Sequence, residues 1–277
     1  MLDGPTHTER KPAARQELAG SGYAPFEIVP GDESRGLVLV CDHARNSLPP
    51  GYGTLGLPET QLARHIGYDI GVENMTRSLA KQLNAPAILT NFSRLLIDPN
   101  RGRDDPTLIM RLSDGAVVPG NAYIEEEERE YRKTTFYDPY HAAISEMLDR
   151  MQTQSRTPVL LSIHSFTPNW RGTDRPWHVG ILWDRDERFP RPLIEALEAE
   201  GDLVVGDNEP YTGELEGDTM NKHGTQRGFA HALVEVRQDL IAEEAGQEAW
   251  TNRFLRILPP ILADETLYQL NPALETH

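Results

Sequence analysis

Gly36-Leu37-Val38-Leu39-Val40-Cys41 is a short run, apolar throughout and half β-branched or sulfur-bearing, that stops abruptly at Asp42-His43. A strand with one wet face alternates apolar and polar residues; this one does not, so it reads as a strand buried on both faces. Pro158-Val-Leu-Leu-Ser-Ile163, ending at His164, has the same character, as do Val179–Trp183 and Ala232-Leu-Val-Glu-Val236. Ala87–Thr90 and Arg94–Ile97 read as one further extended segment, and Leu203–Val205 as a short strand. Between the strands the apolar spacing becomes helical. Leu62, Ile66, Ile70, Met75, Leu79 and Leu83 predict a helix over 61–84, weakened inside by Gly67 and Gly71. Residues 125–151 predict a long helix, bent or broken at Pro139, and 192–200 and 246–262 two more. Strands alternating with helices mean an α/β fold, with a mainly parallel central sheet and helices on both faces.

The chain has 277 residues and a net charge of −16. Residues 1–30 are polar and carry Pro5, Pro12, Pro25 and Pro30, which predicts an arm, partly disordered or draped over the rest. Nothing resembling a linker divides residues 31–277, so they are expected to form a single domain. The negative charge argues against a nucleic-acid or anionic-membrane partner. No apolar run approaches the roughly 20 residues of a membrane span, and no signal peptide opens the chain. The single cysteine, Cys41, excludes an internal disulfide framework and suits the cytoplasm. Its apolar surroundings predict a buried structural thiol rather than a nucleophile.

Chemistry gathers where the strands stop. Ser93-Arg94-Leu-Leu-Ile-Asp98-Pro-Asn100-Arg101 sets an apolar anchor between two arginines, an amide and a carboxylate. The planar fork of a guanidinium matches a carboxylate, and Asp98 can hold one arginine in place. Ligands of open α/β sheets bind at the carboxyl ends of strands, so His43, His164, Glu235 and the Arg94–Arg101 group are expected to converge although far apart in sequence. Two histidines and a carboxylate suit a zinc site with a position open to water, and a carboxylate beside it can act as base. Each residue also has a plainer reading. A histidine at a strand end is most often a hydrogen-bonded structural group, and Glu235 and Arg237 could pair locally on opposite faces. His65 and Asp69, four apart on the expected helix, share a face; either is a candidate third ligand. Residues 102–121 form an irregular loop long enough to imply a function. The Gly-rich stretch 206–228 offers Asn208, Tyr211, His223 and Arg227 as lid residues. His7, His141, His178, His231 and His277 show no matching context.

In series, Cys41-Asp42-His43-Ala44, His65-Ile-Gly-Tyr-Asp69-Ile-Gly71, Ser93–Arg101, His164-Ser-Phe-Thr-Pro168, Gly206-Asp-Asn208 with Pro210-Tyr211, His223-Gly224 and Glu235-Val-Arg237 resemble the N-formylglutamate amidohydrolase family, itself similar in fold to zinc carboxypeptidases and aspartoacylases. The resemblance covers roughly residues 36 to 262. It implies a phosphorylase/hydrolase-like α/β fold and metal-dependent hydrolysis of the amide of an N-formyl or N-acyl amino acid. By the same resemblance, His43 and His164 are metal ligands, Glu235 the general base, Arg94 the oxyanion stabiliser, and Asn100 and Arg101 the grip on the substrate carboxylate. Zinc carboxypeptidases and aspartoacylases place a ligand Glu three residues after the first His; here Asn46 stands there, so Asp69 is taken as third ligand over His65 and Asp42. The expectation is one Zn2+ per chain (another divalent ion being the alternative) and a small anionic N-formylglutamate-like substrate. The competing readings are a non-catalytic carboxylate or metal-ligand binding protein, and a hydrolase of other N-acyl or peptide amides. Glu235 separates enzyme from sensor, because a sensor has no use for an unligated carboxylate beside the metal.

Overall fold

The computed structural model describes residues 15–271. Its centre is a seven-stranded sheet. In chain order the strands are β1 (Phe26–Val29), β2 (Leu37–Cys41), β3 (Ala87–Thr90), β4 (Val159–Phe166), β5 (Val179–Leu182), β6 (Val205–Asp207) and β7 (His231–Arg237). They lie in the order β1-β3-β2-β4-β7-β5-β6. The four pairings β3/β2, β2/β4, β4/β7 and β5/β6 are parallel; β1/β3 and β7/β5 are antiparallel. The main helices are α1 (Val72–Leu83), α2 (Glu126–Arg132), α3 (Asp138–Gln154), α4 (Pro190–Glu198), α5 (Thr219–His223) and α6 (Glu244–Leu262). No helix among the described residues is long and apolar enough to cross a membrane.

The doubly buried strands explain the layering. Leu37, Leu39 and Cys41 join Met75 and Leu79 of α1, Leu193 of α4 and Phe254 of α6 in one core layer. Val38 and Val40 point the other way and pack with Ile144 and Met147 of α3. Each such side chain contributes on the order of 2 kcal/mol by leaving water. Cys41 is a free, buried thiol whose pKa burial pushes up, as its apolar setting predicts. The same alternation continues past the apolar residues. Asp42 follows Val40, His164 follows Leu160 and Ser162, and Glu235 follows Leu233, so period 2 puts all three on the α3 side of the sheet.

Several expected elements take a different form. The helix expected over 61–84 is two pieces, a single turn at Glu59–Leu62 and then α1, with turns between. Gly71 holds φ +86°, and a Cβ there would meet the Ile241 carbonyl oxygen at 2.1 Å, so the chain turns where a helix cannot continue. Arg94–Ile97 is not strand. The Ser93 hydroxyl accepts from the Leu95 amide at 3.2 Å and starts a turn, while Leu95, Leu96 and Ile97 anchor a separate apolar cluster. The helix expected over 125–151 bulges at Lys133–Tyr137, a π-turn that precedes Pro139, the residue without an amide to donate. The last helix begins two residues early, at Glu244, and the short strand is Val205–Asp207. Part of the expected arm is built into the sheet, since Phe26–Val29 pairs with β3 as its edge strand. Residues 1–14 of that arm lie outside the described residues.

Candidate active site

Three strands and a turn deliver the site. β2 ends at Cys41, and the next two residues are Asp42 and His43. β4 carries His164 near its end, and β7 places Glu235 opposite His164 in parallel register. The turn before α1 folds inward, fixed by the Asp69 amide donating to the His43 carbonyl at 2.9 Å, and carries Asp69 to the same point.

There the ligand atoms of His43, Asp69 and His164 lie within 4.8 Å of one another, all three residues buried. Both imidazoles are oriented from behind. His43 Nε2 meets Asp98 Oδ1 at 2.7 Å, and His164 Nε2 meets Asp42 Oδ2 at 3.0 Å. With Nε2–H donated outward, both Nδ1 atoms look inward at one oxygen, Asp69 Oδ2, at 3.4 Å from His43 and 2.8 Å from His164. Three lone-pair donors aimed at one another repel unless positive charge lies between them. Carboxylates backing two such histidines are the arrangement that orients metal-ligating imidazoles.

Charge balance supports the same reading. Burial alone would raise the pKa of Asp42, Asp69 and Asp98, yet all three are held far below the usual carboxylate range. His164 does this for Asp42, both histidines for Asp69, and Arg94 with His43 for Asp98. Arg94 pairs with Asp98 Oδ2 through Nε at 3.1 Å and Nη2 at 2.7 Å, which neutralises one of the three. Two buried negative charges remain, on Asp42 and Asp69. Without an ion, a proton on His164 meets part of that charge. Burial opposes a charge on His164, but Asp42 and Asp69 overcome it and push its pKa well up. A divalent cation against two imidazole nitrogens and Asp69 supplies two positive charges to this pair of carboxylates, so the residues fit such an ion.

Glu235 stands beside this centre without joining it. Its Oε2 is buried and has no hydrogen-bond partner among the described residues. Burial, reinforced by Asp69 against the pull of His164, pushes its pKa up to about 7. The guanidinium of Arg94 leaves only Nη1 uncommitted to Asp98, 3.5 Å from Asp69 Oδ1. Burial works against its charge, but Asp98 and Asp69 outweigh it and raise its pKa. Asn100 is anchored at both ends: its amide donates to Asp98 at 3.0 Å, and its Oδ1 accepts from the Thr219 amide at 3.1 Å. Arg101 follows, its Nη1 on the Asn100 carbonyl at 2.8 Å, with no ion pair among the described residues. All of these line a cleft of about 610 Å³.

Other expected residues lie elsewhere. His65 and Asp69 do not share a helix face, because no helix forms there; His65 faces Asp114 at 3.4 Å, and both line the cleft. Asp42 sits behind His164 and accepts from Tyr140, Ser162 and Thr219 as well. Of the expected lid residues only Tyr211 lines the cleft. Asn208 caps a turn at φ +53°, His223 pairs with His141 at 2.9 Å, and Arg227 reaches Asp149. The long loop 102–121 does contribute, through Met110, Ser113 and Asp114. Trp170, Leu215 and Asp218 also line the cleft and were not singled out, although Leu215 and Asp218 belong to the Gly-rich stretch 206–228 expected to cover it.

The sheet, the buried histidine–carboxylate centre at its strand ends and the unpaired acid beside it define a hydrolase with an α/β fold and its site in a cleft at the strand ends. The comparisons give that class a family. The family model for N-formylglutamate amidohydrolase matches residues 35–242, and the chain belongs to that family. It is similar to gene product Atu2144 from Agrobacterium tumefaciens, with TM-score 0.80 and 31% identity over 87% of this chain and 96% of that one. It also shares its fold with an N-formylglutamate amidohydrolase from Ralstonia eutropha JMP134, with TM-score 0.62 and 21% identity over 87% of this chain and 97% of that one. The search of curated proteins gave no match.

Proposed function

We propose that the protein is a metal-dependent, cytoplasmic amidohydrolase that cleaves the amide of an N-formyl or N-acyl amino acid, with zinc as the ion and His43, Asp69 and His164 as its ligands. The observation that carries the reading is the convergence of both Nδ1 atoms on Asp69 Oδ2, each imidazole backed by its own carboxylate. Bound there, a divalent ion supplies Lewis-acid chemistry, polarising the scissile carbonyl and acidifying water.

The chain's own residues do the rest. Glu235, at the edge of the centre with a free Oε2, takes the proton of the attacking water and returns it to the departing amine nitrogen. Burial raises the pKa of this carboxyl, which favours its return of the proton as well as its uptake. Arg94 brings fixed positive charge to the carbonyl oxygen as it becomes an oxyanion, with Asp98 holding the guanidinium in place. Arg101 grips the substrate carboxylate. Asn100 assists, since Thr219 occupies its Oδ1 and leaves the amino end for the ligand. The test is metal analysis of the purified protein together with a screen of N-formyl and N-acetyl amino acids. The reading expects about one divalent ion per chain and release of free amino acid; metal-loaded protein inert across the panel would favour a binding protein instead.

A further inference from the structure

Asn100 and Arg101 sit on a strap, Asp98-Pro99-Asn100-Arg101, that belongs to no helix or strand. Within it the Asn100 amide donates to Asp98, and the Asn100 carbonyl accepts from Arg101 Nη1. The other two carbonyls are held from outside. That of Pro99 accepts from His141 Nε2 at 3.0 Å. That of Arg101 accepts from the Tyr137 hydroxyl at 2.7 Å, and the same hydroxyl accepts from Lys222 Nζ at 2.6 Å. A carbonyl only accepts, so His141 carries its proton on Nε2, and its Nδ1 accepts from His223 Nε2 at 2.9 Å. Burial keeps both imidazoles neutral, pushing the pKa of His141 down to about 3 and that of His223 well down. Two short columns, His223–His141 and Lys222–Tyr137, therefore run from α5 through the start of α3 to the strap.

Resting on the amidohydrolase reading, we propose that His141 and Tyr137 are positioning residues for the substrate carboxylate: by fixing the carbonyls of Pro99 and Arg101 they aim Asn100 and Arg101 into the cleft. Neither lines the cleft, and both are buried. Filling the space beneath the strap needs only apolar side chains. Polar ones aligned on two carbonyls also fix its orientation, and a binding group holds its geometry only as well as the residues that support it. Loosening the strap should cost substrate binding and leave the chemistry alone. Asp98 keeps its own partners, His43 and Arg94, and the inward-facing group of His43, Asp69 and His164 does not lean on either column.

Tyr137→Phe keeps the ring and removes the hydroxyl. His141→Leu removes the donor to Pro99, whereas His141→Gln keeps one where Nε2 stands. Tyr137→Phe and His141→Leu are each expected to raise KM for N-formylglutamate about tenfold, with kcat and bound metal within about twofold of the parent, and His141→Gln to recover most of the loss. The deciding measurement is a double-mutant cycle with Arg101→Ala, read as equilibrium binding of N-formylglutamate to the metal-loaded Glu235→Gln protein, where turnover is suppressed. If Tyr137 acts through Arg101, Tyr137→Phe costs about tenfold alone but no more than about twofold once Arg101→Ala is present. Full additivity of the two losses, no binding of N-formylglutamate, or unchanged binding in both Tyr137→Phe and His141→Leu overturns the proposal. If N-formylglutamate binds and no amide is hydrolysed, the amidohydrolase reading fails, while the cycle still decides this one.

Discussion

Glu235 faces His164 across two parallel strands in direct register, yet its Oε2 bonds to nothing among the described residues. Its neighbours Val234 and Val236 turn into the core on the opposite face of the sheet. The strand therefore fixes the backbone and aims the carboxyl at the cleft, where it is buried without compensation. Such an arrangement costs stability, and the cost has a pH signature. The folded protein keeps a proton on Glu235 up to about pH 7, whereas the carboxyl ordinarily loses it near 4.5. Between those values the folded state binds the extra proton, so stability falls as pH rises through this window and stays lower above it. Thermal unfolding of Glu235→Gln should show a higher Tm than the parent at pH 8 and no advantage at pH 4.5. A constant difference across that range would mean that the carboxyl is not held protonated.

Metal binding should follow the inward-facing atoms. His43→Ala, His164→Ala and Asp69→Asn are each expected to lose most of the bound ion and the rise in Tm that added Zn2+ produces. His65→Ala should retain both, because His65 faces Asp114 and not the inward-facing group of His43, Asp69 and His164. Elemental analysis of the four variants checks this; loss of the ion in His65→Ala alone would move the third ligand there.

The two arginines should behave differently. Arg101→Ala removes a contact made in ground and transition states alike, so it should chiefly raise KM. Arg94→Ala should chiefly lower kcat. It also leaves the fully buried Asp98 without its cation, at a cost of about 3 kcal/mol in stability. Arg101→Lys should not restore KM, because an ammonium lacks the fork. Matching kinetic profiles and matching stability for the two alanine variants would remove the distinction.

Much of this site was legible because strand ends announce themselves. An apolar run that stops at Asp42-His43 or at His164 locates both the strand and the functional edge, and period 2 then assigns Glu235 to their face. Asp69 was legible only as one of several candidates. The helical spacing of Leu62, Ile66 and Ile70 hid the turn that brings it inward, although Gly67 and Gly71 marked the place. A Cβ at Gly67 would lie 2.3 Å from the Leu62 carbonyl oxygen, so the chain folds back there too tightly for any residue but glycine. The pairing of Asp98 with His43 and of Asp42 with His164 was not legible, since each joins residues that only the fold brings together. The same holds for His141, which donates to the Pro99 carbonyl at 3.0 Å and meets His223 beneath the Asp98–Arg101 stretch.

The turn itself is testable. Gly71→Ala puts a Cβ against the Ile241 carbonyl in a left-handed conformation, with a destabilisation of about 2 kcal/mol or more. Because Asp69 is two residues away, the variant should also bind metal more weakly. Denaturant unfolding and metal titration measure the two effects; unaltered values for both would show that the turn does not position Asp69.

The most direct measurement is the pH dependence of amide hydrolysis by the metal-loaded protein and by its Glu235→Gln variant, at saturating N-formyl amino acid. The parent should release amino acid at a rate that climbs with pH along an acidic limb, as Glu235 loses its proton. The variant should keep its metal and bind the substrate, lose at least about 10²-fold in kcat, and show no such limb. Near-normal turnover in Glu235→Gln, with the same acidic limb, would contradict the account.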